Sequence, residues 1–408
     1  MKALFEIFRH EIRSLVRSAS LPLLVFAAVG WIFLVPHIIH GDGTAAGERE
    51  ITIAYSLGGA FTLTVLALVA SATASFARER EMKRLQLTQI RPVPFFLLAL
   101  GKLTALVLAG CAVLVLSAAA LAFRVDTSVD CRRILKPLLP SPREEAAAMY
   151  GVYMADPETP ENVKKASKTT VLRILENRAI DHYQTLVTNT PVAWKFAEKG
   201  DAVRLRLTNP MELRQEVRGV FRSNGKEVVV SNMTQTVLTV PFENAGPDLG
   251  FENRGGTTLM LRPRKDVEIL KTADGFIANS FRAVAMLTAM LALILAFALL
   301  LSAGLGRGVA VFTVMAFLFL GVVSPSVVEQ YPDELTASLT DRIGLELTRF
   351  SAAVTRPVSA YSPIEHLSKD ECIEYSELGR AAAVDLVLAP LLLLFLTALI
   401  LPGKQDGL

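Results

Sequence analysis

The feature that most limits what this chain can become is its set of long apolar runs. Leu21–Ile39, Ile53–Ser75, Leu103–Phe123, Ala283–Leu305 and Ala381–Leu401 each approach or exceed the roughly 18 residues that mark a membrane-crossing helix. Val309–Val323 starts a sixth. In hydrocarbon such segments must be helical, because each backbone amide has to find its partner within the segment. The expected fold is a mainly α membrane protein of six transmembrane helices. Ahead of the first run, Leu4, Phe5, Phe8, Ile12, Leu15 and Val16 follow one helical stripe, with Arg9, Arg13 and Arg17 on the other side. That pattern suits a helix lying in the membrane interface.

Charge orients the spans. Between the second and third runs stand Arg78, Arg80, Lys83, Arg84 and Arg91 against Glu79 and Glu81. Arg307 sits in the turn Gly306–Gly308, and Lys404 in the tail. Basic residues concentrate in cytoplasmic loops. Both termini are therefore expected inside, and the two long polar segments, 124–277 and 328–380, outside. Three parts follow: 1–123 with a basic loop at 76–94, 124–277, and 278–408 containing 328–380. In the basic loop, Met82–Ile90 reads as a short helix stopped by Pro92 and Pro94. Lys102 is expected to snorkel to the membrane surface. Pro325 is expected to end the fifth span and Pro390 to kink the sixth.

The segment 124–277 reads as an α+β insertion. Pro160–Val187 carries a helical stripe of Leu172, Leu175, Ala179, Tyr183 and Leu186. Then the period becomes two: Val203, Leu205 and Leu207 alternate with Arg204, Arg206 and Thr208. Leu213, Val217 and Phe221 share a face, opposite Arg214, Arg218 and Arg222. Asn224-Gly225 signals a tight hairpin before Val228–Val230, with further strands in Met233–Phe242 and Thr257–Arg262. An antiparallel sheet or sandwich is the expectation. In 328–380, Leu335, Leu339, Ile343 and Leu347 recur at helical spacing as an amphipathic helix. His40–Glu50 reads as a polar hairpin.

Three motifs carry a resemblance. Arg78–Val93, REREMKRLQLTQIRPV, followed by Gly101-Lys102, resembles the cytoplasmic loop of type-2 ATP-binding-cassette permeases. It departs from that pattern at Lys83-Arg84 and at Thr88–Arg91. Leu299–Ala310, LLLSAGLGRGVA, resembles the family's turn between the fourth and fifth spans. Tyr361–Leu367, YSPIEHL, is similar to the segment before its last span, on Ser362, Pro363, Glu365 and His366. The resemblance implies that the N-terminal helix is an elbow helix. It implies that Arg78, Glu79, Arg80, Glu81, Arg84, Leu85, Leu87 and Arg91 couple the spans to an ATPase. Such a permease is an exporter subunit of the bacterial cytoplasmic membrane and works as a homo- or heterodimer. ATP and Mg then belong to a separate cytoplasmic ATPase subunit. Membrane lipids surround it, and an extracytoplasmic protein is a further candidate partner for 124–277, a segment the family usually lacks.

The residues themselves narrow the chemistry. No G-x-x-x-x-G-K-[ST] occurs, so ATP hydrolysis on this chain is not expected, and the chain is not read as an enzyme. No H-E-x-x-H or C-x-x-C appears, and no catalytic or metal site is expected. The formal net charge of +3 gives no reason to expect a nucleic-acid partner. Cys111 reads as a packing residue. Cys131 and Cys372 both fall in the outer segments, where a disulfide and two free thiols are both open. Glu365-His366 reads as structural, and Asp385, about one turn into its apolar run, as exposed at the interface. Besides the exporter, two other functions fit: an ATPase-driven mechanical transmitter acting through 124–277, and a membrane receptor or scaffold with no ATPase.

Overall fold

The computed structural model describes residues 2–40, 43–81, 94–157, 159, 161–164, 167–180, 182–209, 214–330, 344, 346, 348 and 362–403. They fall into two compact units. The first holds the apolar helices, and the second is made chiefly of Arg132–Ala273.

In the helical unit, α1 (Lys2–Arg17) ends in a turn at Ala19, whose φ of 58° is left-handed. Ser18 Oγ closes that turn by donating to Leu15 O at 3.1 Å. α2 (Ser20–Ile38) buries Leu24, Ala28, Ile32 and Val35, one residue per turn, and tolerates Pro22 in its first turn. α3 (Ala45–Glu81) runs 37 residues. At 1.5 Å per residue it measures about 55 Å, well beyond the ~30 Å of a hydrocarbon core. The polar hairpin expected over His40–Glu50 is therefore shorter, because Thr44 accepts from Glu48 N through its carbonyl and from Gly47 N through its hydroxyl, which starts the helix early. α3 also continues through Arg78–Glu81, so only the later part of the basic loop lies beyond it. That part, 82–93, with the helix expected over Met82–Ile90, lies outside the described residues.

α4 (Phe95–Ala122) follows Pro94. Two helices of the same unit come later, α9 (Phe276–Gly304) and α10 (Arg307–Gln330). α9 is the axis of the bundle: 72 % of its most apolar window is buried, against 22 % for α2. α10 passes Pro325 and reaches Gln330, so that proline does not end it; membrane-type helices re-satisfy the freed carbonyl locally. α11 (Pro363–Ser368) precedes α12 (Tyr375–Ala381), a π-helical turn (Ala382–Leu388) and α13 (Ala389–Gly403). Pro390 cannot bond to the carbonyl four residues back, and the widened turn lies just ahead of it. Among the described residues, five helices are long and apolar enough to cross a membrane: Ser20–Ile38, Ala45–Glu79, Phe95–Ala122, Phe276–Gly304 and Tyr375–Leu401. Arg307–Gly321 is apolar but shorter. The last span starts six residues earlier than its apolar run, at Tyr375 rather than Ala381. Of the amphipathic helix expected from Leu335 to Leu347, only Gly344 and Glu346 are described, both helical; its other residues lie outside the described ones.

The second unit is α+β. β1 (Asp130–Leu135) leads into α5 (Pro142–Ala155), α6 (Glu161–Lys164) and α7 (Lys168–Ile180). The single helical stretch expected over Pro160–Val187 is thus broken, and its end is strand β2 (Gln184–Leu186). α5 is held by a capping box: Glu144 N donates to Ser141 Oγ at 3.2 Å, and Ser141 N to Glu144 Oε2 at 2.8 Å. β3 (Pro191–Lys195), β4 (Gly200–Arg206), β5 (Glu216–Ser223), β6 (Lys226–Met233), β7 (Val237–Ala245), β8 (Asp248–Asn253) and β9 (Leu259–Leu261) follow. A short α8 (Pro263–Asp266) leads to β10 (Val267–Gly275). One sheet has the order β1-β10-β4-β7 and a second β3-β8-β5-β6, with β2 and β9 as a pair. Asn224 and Gly225 take φ of 50° and 76°, the positive pair a two-residue hairpin requires, and bring Ser223 opposite Lys226. Both sheets bury Val203, Leu205, Phe221, Phe251 and Ile269 in one apolar core. Leu213 lies outside the described residues.

Candidate functional site

The end of the bundle that carries Arg78–Glu81 is built around Lys102. The second turn of α4 ends at Gly101 and Lys102, beside α1 and the end of α3. A Cβ on Gly101 would lie 2.8 Å from Ile7 Cγ2, so glycine is what lets α1 pack this closely. Lys102 does not reach for the surface; its side chain is 3 % exposed. Its ammonium donates to Ser75 Oγ at 2.6 Å and to Glu79 Oε1 at 2.7 Å, and lies 3.9 Å from Glu11 Oε2. It also stands 5.0 Å from the centre of the buried Phe76 ring. Ser75 and Glu79 share a face of α3, four residues apart, which is why one lysine meets both. One turn earlier, Ser302 of α9 donates to Thr73 O at 2.9 Å and accepts from Phe76 N at 3.2 Å. The snorkelling expected of Lys102 fails because two neighbouring elements, α1 and α3, supply it with polar partners.

Arg78 is exposed in the last turns of α3, and Arg80 and Glu81 complete that helix. Arg84, Leu85, Leu87 and Arg91 lie outside the described residues. The structure therefore brings together Glu79 and the Gly101-Lys102 pair, and adds Glu11, which the stripe pattern did not single out.

A second polar cluster occupies the opposite end. Cys131 and Cys372 form a disulfide, with Cα atoms 5.2 Å apart. Asn279 of α9 donates to Glu371 O at 2.8 Å and accepts from Ile373 N at 3.0 Å. Arg282 pairs with Asp274 and donates to Tyr375 Oη at 2.6 Å. Arg49 of α3 pairs with Asp370. Ser362 accepts His366 N through its carbonyl, and the buried Pro363 opens α11. The neighbours Glu365 and His366 do not act as a pair: Glu365 takes Lys369 at 2.6 Å, and His366 Nδ1 meets Glu371 Oε2 at 3.1 Å. Glu371 holds the imidazole above its ordinary value, against the opposing effect of burial. The polar residues Asn279 and Arg282 fall just before the fourth apolar run, where a boundary and a buried anchor look alike in sequence.

Asp385 corrects another expectation. It is 0 % exposed, and neither carboxylate oxygen has a hydrogen bond. The apolar helix that holds it begins ten residues earlier, and the side chain is buried in the bundle rather than exposed. Among the described residues no cluster of His, Cys, Asp and Glu could hold a metal ion. Compared with protein-family models, curated proteins and solved structures, the chain matches none.

Proposed function

We propose that the chain is the permease subunit of an ATP-binding-cassette exporter of the type-2 class, placed in the bacterial cytoplasmic membrane with both termini inside. It works as a homo- or heterodimer, and a separate ATPase subunit supplies ATP hydrolysis. The observation that carries this reading is the Lys102 cluster. Two pieces of the loop motif, Glu79 and the Lys102 of Gly101-Lys102, are 23 positions apart in sequence yet joined by a 2.7 Å ion pair. A short segment whose two ends are tied in this way can pass a push into α3 and α4 together, whereas a free loop would absorb it. α10 as the fifth of six spans, α1 as an interfacial elbow and 124–277 as an external domain belong to the same proposal.

One observation favours the mechanical transmitter as a second reading. β10 ends at Gly275 and α9, the axis of the bundle, begins at Phe276, with no linker between them. In such a transmitter α9 would be the covalent link from the helical unit to 124–277.

The test is co-purification with a candidate ATPase. Leu85→Asp should abolish the complex while the permease still inserts, because truncated or charged central anchors commonly cost 2 kcal/mol or more. ATPase bound with unchanged affinity would remove the loop from the mechanism. Substrate-stimulated ATPase activity in liposomes separates exporter from transmitter.

A further inference from the structure

Beside the Lys102 cluster lies a cleft that the coupling role does not use. It holds about 1260 Å³ between α1, α2 and α3. That exceeds the roughly 300–1,000 Å³ usual for a small-molecule pocket. Its two walls differ in chemistry. Along one stand Arg9, Arg13 and Arg17 of α1, Arg78 of α3 and Arg307 of α10. All five are exposed, and none has an ion pair or side-chain hydrogen bond among the described residues. Two of the three carboxylates in the lining, Glu11 and Glu79, are already engaged by Lys102. The other wall is apolar, with Leu23 68 % and Leu66 41 % exposed on α2 and α3.

We propose that this cleft seats the headgroup of one anionic phospholipid. Its phosphate lies against the arginines of α1, and its acyl chains run along Leu23 and Leu66. Unpaired guanidinium groups are forks for phosphate oxygens. Basic pockets between helices at the membrane surface take acidic headgroups for this reason. A free phosphate would meet the arginines but leave the leucine wall wet. A zwitterionic lipid would bring its own cation among five others. The site rests on charge and shape alone, and stands whether or not the chain is a transport subunit.

The experiment uses the full-length protein, delipidated in a neutral detergent, and native mass spectrometry. The probes are phosphatidylglycerol, phosphatidylcholine and inorganic phosphate. Phosphatidylglycerol should bind saturably at one per chain, phosphatidylcholine at least about tenfold more weakly, and millimolar phosphate should not compete. Each arginine removed should cost about fivefold in affinity, so Arg13→Ala with Arg17→Ala should weaken binding about 25-fold. Leu66→Trp, which fills the apolar wall and changes no charge, should weaken it as well. Arg143→Ala with Arg206→Ala removes the same charge from the sheet unit and should leave binding unchanged. Equal binding of the two lipids would overturn the proposal, as would displacement by phosphate. So would a phosphatidylglycerol affinity that survives both the arginine pair and Leu66→Trp.

Discussion

Glu79→Gln should harm this protein more than Lys102→Met, although both break the same ion pair. At an effective dielectric of about 20, the ammonium gains about 6 kcal/mol from Glu79 Oε1 at 2.7 Å and about 4 kcal/mol from Glu11 Oε2 at 3.9 Å. Desolvation returns several kcal/mol of this, because the lysine side chain is only 3 % exposed. The partners differ: Glu79 keeps 31 % and Glu11 18 % of their side chains in contact with solvent. Without Glu79 the buried ammonium keeps only Ser75 and a distant carboxylate, and the expected loss is about 3 kcal/mol. Without the ammonium, both carboxylates can turn to water, and about 1–2 kcal/mol is expected. The double variant should be no worse than Glu79→Gln alone, a coupling of about 2 kcal/mol. Reversible unfolding of the four proteins in mixed detergent measures the cycle. Lys102→Met at least as damaging as Glu79→Gln, or strictly additive losses, would refute the reasoning.

Three further outcomes are expected. Limited proteolysis between Cys131 and Cys372 should leave the fragments joined on a non-reducing gel and separate with reductant; fragments apart without reductant would exclude the bond. Because Glu371, with Glu377 and Glu365 at longer range, raises the His366 pKa, that pair stabilises fully below the unfolded value of 6.5. Its contribution is lost as pH rises through the higher folded value, so thermal stability should decline there, and His366→Gln should flatten the decline. Asp385→Leu should stabilise by about 1–2 kcal/mol, since no hydrogen bond is lost and an unpaired polar group leaves the interior; a marked loss of stability would show that the carboxyl has a partner.

Much of the architecture was legible because one physical pattern decided it. The apolar runs set the ends of the five long apolar helices within four residues, though four of those helices start six to eight residues ahead of their runs, and Asn224-Gly225 set the β5–β6 hairpin, since few residues accept positive φ there. Alternation at Val203, Leu205 and Leu207 marked the buried face of β4 and the residue beyond it. What failed depended on partners distant in sequence. Lys102 looks like a surface lysine until α1 and α3 are placed around it. Asp385 looks interfacial if the span is started at the apolar run rather than at Tyr375. The capping box of α5 was readable in Ser141-Pro142-Arg143-Glu144, four residues that announce a helix start, and Ala146, Tyr150, Tyr153 and Met154 after it follow a helical stripe, but the segment reads in sequence only as part of a polar insertion. Within the candidate site, the motif residues were visible in sequence; their meeting, and the part of Glu11, were not.

The Cys131–Cys372 bond also sets an order on the making of the protein. The two residues are 241 positions apart, and the fourth and fifth apolar helices are synthesised between them. At about 5–20 residues per second, Cys131 is made roughly 10–50 s before its partner exists. During that interval it is a lone thiol, with Cys111, the third cysteine, inside the preceding apolar helix. The sheet unit is complete in the chain before the bond can close, so the bond joins parts already made rather than guiding them. A newly made copy therefore carries Cys131 as an unpaired thiol until Cys372 is made, just ahead of the last apolar helix, and two unfinished chains that meet in that interval are open to cross-linking with each other.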